Sequence, residues 1–281
     1  MTDMAACRLY IGTSGYSYGE WVDSGFYPDG THSSNMLDCY IKIFHTVELN
    51  YTWYQMPKAL AMQRLCEKVP EHFRFAAKLT RTMTHEVKKE GWQQEVLAFR
   101  QGMEPLIRAK KLLCILIQLP PYFERTIDFR NYLAALLDEL SSLPLAVEFR
   151  HDSWVHDKVF SELERRRVTL VNVDEPDLPG LFPRLSTVTN PDLFYVRFHG
   201  RNTKGWRSGS MQKQFDYDYG DGELKEWAAR ILTELMPEAA NGGIFFNNHV
   251  RGQAPKNALR LIDLLLKKGG QKTPWNAPSF I

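Results

Sequence analysis

The sequence is poor in cysteine. Cys7, Cys39, Cys66 and Cys114 are the four in 281 residues, and no two form a C-x-x-C pair. A zinc ribbon, an iron–sulfur run and a thioredoxin-type motif therefore lack support, and buried free thiols in a reducing cytoplasm are expected. Long apolar runs are missing as well. The most apolar stretch, residues 112–117, is far short of the roughly 20 residues that span a bilayer, so no membrane association is expected. Met1-Thr2-Asp3-Met4 offers no basic stretch ahead of an apolar one, so no signal peptide is expected. Neither sign of charge dominates: 35 Lys+Arg face 33 Asp+Glu, which argues against a surface coated with basic residues for duplex DNA. The glycine-rich phosphate turn of a dinucleotide fold is absent too, because the first apolar run leads into Gly12-Thr13-Ser14-Gly15-Tyr16 rather than G-x-G-x-x-G.

What is present is alternation. Apolar, strand-like runs recur at residues 9–14, 46–50, 73–80, 112–119, 145–150, 168–174, 194–199 and 243–248. Helical patterns with a 3.6-residue period lie between them, such as Met36, Leu37, Tyr40, Ile41 and Phe44, or Tyr132, Leu133, Leu136, Leu137 and Leu140. Pro57 suits the first turn of a helix running to Lys68. Strand–helix alternation implies a parallel sheet, and eight units predict closure into a single α/β domain over residues 1–281, a (β/α)8 TIM-like barrel with its core at about 8–266. The proline-rich segment 175–191 is poorly helical, so the sixth unit is expected to be irregular.

Alternate residues of a barrel strand face the axis. With the apolar positions assigned to the helix side, the inward residues at the strand ends are Ser14, Glu48 and Asn50, Lys78 and Thr80, Gln118, Glu148 and Arg150, Asn172 and Asp174, Arg197 and His199, and Asn247, or Asn248 if the register slips by one. Polar ends on all eight strands at one face mark the C-terminal mouth, where barrel enzymes build their sites. A structural ion network among Glu48, Glu148, Lys78, Arg150 and Arg197 would account for the balance of sign alone.

The same residues carry a family resemblance. Ile11-Gly12-Thr13-Ser14-Gly15-Tyr16, Thr46-Val47-Glu48-Leu49-Asn50, Phe73-Arg74-Phe75-Ala76-Ala77-Lys78, Gln118-Leu119-Pro120-Pro121, Val147-Glu148-Phe149-Arg150-His151, Tyr195-Val196-Arg197-Phe198-His199-Gly200 and Phe246-Asn247-Asn248 follow in order along the chain. They resemble the blocks of the YecE-like family, domain of unknown function 72. The resemblance implies a TIM-barrel-like fold and no established activity. Tyr16, Leu49, His249 and Val250 depart from the family pattern, without removing any ionisable strand end.

As chemistry, Lys78, Arg150 and Arg197 suit a phosphate or carboxylate. Glu48 and Glu148 suit acid–base hydrolysis, with His199 as acid or partner. Arg150 lies two residues from Glu148 on the same face, so Glu148 is expected to be the paired carboxylate and Glu48 the freer base. Asn50, Gln118, Asn247 and Asn248 line the mouth as substrate-binding residues, together with Trp206 and Arg207 from a long basic and aromatic loop at 200–222. Such a loop suits a nucleotide or single-stranded nucleic acid, or is a surface loop packed on itself. A second aromatic loop holds Tyr16, Tyr18, Trp21, Phe26 and Tyr27. The stretch 251–257 offers a phosphate site near the last strands. No cofactor is expected, with a divalent metal as the alternative. His151, His199, Glu48, Glu148 and Asp174 are of metal-ligand type, but the three cations would repel a divalent metal, and His151 suits a helix cap. The reading is a hydrolase-type enzyme acting on a phosphate-bearing or otherwise anionic substrate; the alternative is a non-catalytic ligand- or nucleic-acid-binding barrel.

Overall fold

A computed structural model describes residues 7–87 and 90–269. Eight parallel strands make one sheet: β1 (Arg8–Thr13), β2 (Thr46–Leu49), β3 (Arg74–Lys78), β4 (Leu112–Gln118), β5 (Leu145–Glu148), β6 (Thr169–Asp174), β7 (Phe194–Phe198) and β8 (Asn241–Phe246). Each strand from β2 to β8 pairs with its sequence neighbour, and β8 pairs with β1 along its whole length. The seam between β1 and β2 closes only at its C-terminal end, where Ser14 bridges Glu48 and the Gly15 amide donates to the Glu48 carbonyl at 2.8 Å. This is the expected (β/α)8 barrel, nearly closed.

Two devices hold the seam. Gly12 has no side chain because a Cβ there would sit 2.4 Å from the Thr46 carbonyl oxygen. The buried Tyr40 hydroxyl accepts from the Thr13 amide at 2.9 Å and donates to the Thr46 carbonyl at 3.1 Å, doing the work of a missing ladder bond.

Helices cover the outside, among them Met36–Tyr40, Ala59–Lys68, Trp92–Arg108, Ile127–Glu139, Asp157–Arg166, Asp221–Arg230 and Gln253–Gly269. Their ends follow local chemistry. Thr126 caps Ile127–Glu139 through its side-chain oxygen, and Asp157–Arg166 carries Asp157 in its first turn and Arg165 and Arg166 in its last, matching the helix dipole. Pro57 lies outside its helix, which starts at Ala59 because Lys58 is extended. Residues 175–193 form no helix, so the sixth unit is irregular as expected. That stretch is tied to β6 by side chains instead: Asn172 donates to the Thr187 carbonyl at 3.0 Å and accepts from the Thr187 amide at 2.9 Å.

The interior is buried and mostly apolar below the mouth. Tyr195 and Phe245 stack at 5.1 Å, with Ala76, Cys114, Ala146 and Val171 buried. Cys7 and Cys114 are buried free thiols, whereas Cys39 and Cys66, also free, are only partly covered. Among the described residues no helix is long and apolar enough to cross a membrane.

Candidate functional site

Paired residues of neighbouring parallel strands face the same side, so register decides what enters the mouth. Gln118 pairs with Glu148, Glu48 with Ala76, and Arg197 with both Val173 and Phe245. Glu48, Lys78, Gln118, Glu148 and Arg197 therefore share the interior. Strand β6 corrects the sequence reading. Val171 and Val173 point inward, and Asn172 and Asp174 point out to the helix layer. There Asp174 accepts from Trp227 Nε1 at 2.5 Å, Tyr219 Oη at 2.8 Å and Arg201 Nη2 at 2.6 Å. The inward acid of this strand is the next residue, Glu175, which the sequence reading missed. The run Leu170-Val171-Asn172-Val173-Asp174-Glu175 has a polar end in either phase, and only the register chooses between them.

At the centre lies Arg197, fully buried. Its Nη2 donates to Glu48 Oε1 at 2.6 Å, its Nε to Glu48 Oε2 at 3.0 Å and its Nη1 to Glu148 Oε2 at 2.6 Å. Tyr195, also not foreseen, donates from below to Glu48 Oε2 at 2.7 Å. Arg150 donates from Nε to Glu148 Oε1 at 2.5 Å and from Nη1 to Glu175 Oε2 at 2.9 Å. The Glu148–Arg150 pair is thus present as expected. Glu48, however, is not the freer carboxylate, because both its oxygens are held by Arg197. That guanidinium reaches it across the barrel, a contact sequence spacing does not encode.

The imidazole of His199 is fully buried, with Nε2 3.2 Å from Glu148 Oε1 and Nδ1 3.1 Å from Asn247 Nδ2. Burial, then the Arg150 charge, pushes its pKa down to about 3, so the ring is neutral. Burial alone would raise Glu148, but Arg150, Arg197 and His199 hold it well below the usual carboxylate range. Glu175 goes the other way: burial pushes it up to about 8 against the pull of Arg150, and its Oε1 has no hydrogen-bond partner.

Lys78 stands apart from these pairs. Its Nζ donates to Gln118 Oε1 at 2.8 Å and lies 5.4 Å from the centroid of the Trp53 ring. Trp53 Nε1 in turn donates to His85 Nδ1 at 3.3 Å. Burial, then the Arg197 charge, pushes the amine down to about 7, and burial, then Lys78, pushes His85 down to about 4. Trp53 and His85 also went unforeseen, since Trp53 lies on the one-turn helix Tyr51–Tyr54 and His85 on a turn, neither with a distinguishing pattern.

Of the other residues expected at the site, Asn247 and Asn50 stand at the mouth, and the Asn50 Oδ1 is buried without a partner. Asn248 is not at the mouth. β8 keeps register with β7, so Asn248 faces outward and donates to the Tyr217 carbonyl and Asn257 Oδ1, both at 2.8 Å. Trp206 covers Arg150, with its ring centroid 5.8 Å from Arg150 Cζ. Arg207 turns away, donating to the Pro179 carbonyl at 2.7 Å. The cations after β8 are neutralised by the preceding loop, Arg251 by Asp216 at 2.5 Å and Lys256 by Asp218 at 2.9 Å. In the first loop Trp21 and Tyr27 are buried as core. His151 accepts from the Ser153 amide at 3.2 Å, the expected cap. Among the described residues no three His, Cys, Asp or Glu side chains converge as metal ligands.

The family model for a protein of unknown function, DUF72, matches residues 10–278. The chain belongs to the DUF72 family. It is 29% identical to the UPF0759 protein YunF of Bacillus subtilis over 92% of this chain and 94% of that protein. It is 31% identical to the UPF0759 protein YecE of Escherichia coli over 51% of this chain and 48% of that protein. A crystal structure of a DUF72 protein from Thermotoga maritima superposes with a TM-score of 0.85 at 34% identity, covering 92% of this chain and 99% of that one. In this DUF72 chain the blocks that carry the resemblance are the strand ends, and they place Arg197, Glu48 and Glu148 at one mouth.

Proposed function

We propose that this DUF72 protein is an enzyme whose active site is the barrel mouth, acting on a small anionic, phosphate- or carboxylate-bearing substrate. One observation carries this reading. Arg150 and Arg197 are consumed by Glu148, Glu175 and Glu48, whereas Lys78 has no carboxylate within salt-bridge distance among the described residues. An anion arriving at Lys78 supplies the missing counter-charge. The unpartnered Asn50 Oδ1 offers an acceptor for a substrate hydroxyl, and Trp53 offers a flat face. A nucleotide, or the end of a single-stranded nucleic acid, combines these features. Hydrolysis with Glu48 as base gains no support from its double pairing with Arg197; the groups that exchange protons near neutrality are Lys78 and Glu175. We place the protein in the cytoplasm, in keeping with its free cysteines. Calorimetric titration with inorganic phosphate and a nucleoside monophosphate tests the reading. Wild type and Lys78→Arg should bind, and Lys78→Met should bind about tenfold more weakly or less, the loss of one charge-assisted contact. Equal affinity in Lys78→Met would overturn it.

A further inference from the structure

Anion binding alone does not explain why this position is a lysine placed as it is. The side chain ends β3, partly buried, and its amine makes one hydrogen bond, to a neutral amide on β4. The charged groups that face it are Arg197 on β7, Glu48 on β2, Glu148 and Arg150 at the end of β5, and His85 in the loop after β3. Both carboxylates are already held by guanidinium groups. The lysine therefore feels two arginines and has no carboxylate within salt-bridge distance among the described residues. An ammonium partly withdrawn from water with no carboxylate to pair with is disfavoured, and the state that avoids the cost is the neutral amine. Arginine at this position would meet the need for a cation without that liability, since it does not deprotonate. A lysine desolvated beside other cations is the kind that attacks carbonyl carbon.

We propose that Lys78 is a catalytic nucleophile that forms an imine with a small anion also carrying an aldehyde or ketone group. The inference rests on the reading of the mouth as an anion site and narrows its substrate class. The Nζ lone pair attacks the carbonyl carbon, a C–N bond forms, and the carbonyl π pair moves to oxygen. Nitrogen loses a proton and oxygen gains one, giving the carbinolamine. The C–O bond then breaks with uptake of a proton from solvent, water leaves, and the protonated imine remains. Its positive charge replaces that of the ammonium next to the substrate anion.

The test uses glyoxylate as the anionic carbonyl and glycolate as its carbonyl-free counterpart, with the full-length protein at pH 7. Cyanoborohydride delivers hydride to the imine carbon and leaves a stable secondary amine, which peptide mass spectrometry locates. Lys78 should be modified about tenfold or more over every other lysine, because exposed lysines are almost wholly protonated at this pH. Glycolate should slow the trapping. Lys78→Arg should bind glycolate and leave no preferred site of trapping, and Lys78→Met should lose both. If glycolate binds wild type but Lys78 is trapped no faster than surface lysines, the imine is wrong and the anion site stands. If glycolate and phosphate both fail to bind wild type, the anion site itself is wrong, whereas selective trapping without measurable glycolate binding would keep the nucleophile and remove the anion site.

Discussion

Glu148 is the residue on which most of the mouth depends. It accepts from Arg150 at 2.5 Å and Arg197 at 2.6 Å, and stands 3.2 Å from His199. Glu48 serves one guanidinium and the Tyr195 hydroxyl. Removing one partner of a buried pair leaves a charge without compensation, which typically costs about 3–5 kcal/mol. Both Glu48→Gln and Glu148→Gln should therefore lose stability on this scale in urea unfolding, Glu148→Gln the more because two guanidinium groups and an imidazole share that carboxylate. Unchanged stability in Glu48→Gln would mean that its pairing with Arg197 adds nothing, and would return it as a candidate base. The sign of the pH effect follows from the depressed Glu148 pKa: its contribution is complete above the ordinary value of 4.5 and is lost as pH falls through the lowered one.

At the scale of elements, the barrel is weakest where β1 meets β2. Seven neighbouring pairs form ladders, while this seam relies on the Ser14–Glu48 bridge and the Tyr40 hydroxyl. Tyr40→Phe would leave the Thr13 amide and the Thr46 carbonyl short of a partner in a place closed to water, at a cost of about 1–3 kcal/mol. Hydrogen exchange should then speed up first at the Thr13 and Gly15 amides. Uniform exchange across all strands would show that the seam is not the weak point. The loop at 200–222 is built differently from a flexible connection. It folds into the short helices Thr203–Trp206 and Met211–Gln214, and its Trp206 and Phe215 rings pack at 6.4 and 6.1 Å from the His199 ring. Its aromatics cover the Arg150 side of the mouth, while Lys78 and Trp53 stand together on another side.

At the scale of the whole molecule, stability should carry the signature of an unwelcome lysine. The folded-state pKa of Lys78 is about 7 against an ordinary 10.5, so the unfolded chain binds the proton more readily between these values. The penalty is complete below pH 7, shrinks as pH rises towards 10.5 and vanishes above it. Lys78→Met should accordingly be more stable than wild type at pH 6, with the advantage fading on the alkaline side; chemical unfolding at pH 6, 8 and 10 checks this. A pH-independent difference would mean that the amine is as well solvated as an exposed one. The sequence by itself determined the alternation of strands and helices, the missing helix after β6 and the polar strand ends, because these follow from local periodicity and composition. It also determined the Glu148–Arg150 pair, since two residues apart on one strand share a face. Tertiary structure alone decided that Glu175 rather than Asp174 enters the mouth, that Asn248 leaves it, and that Arg197 crosses the barrel to claim Glu48. The first two depend on register against a neighbouring strand, and the third on closure, which brings together side chains 149 residues apart. The same closure leaves Lys78 with the Gln118 amide and no carboxylate, because the guanidinium groups occupy Glu48 and Glu148.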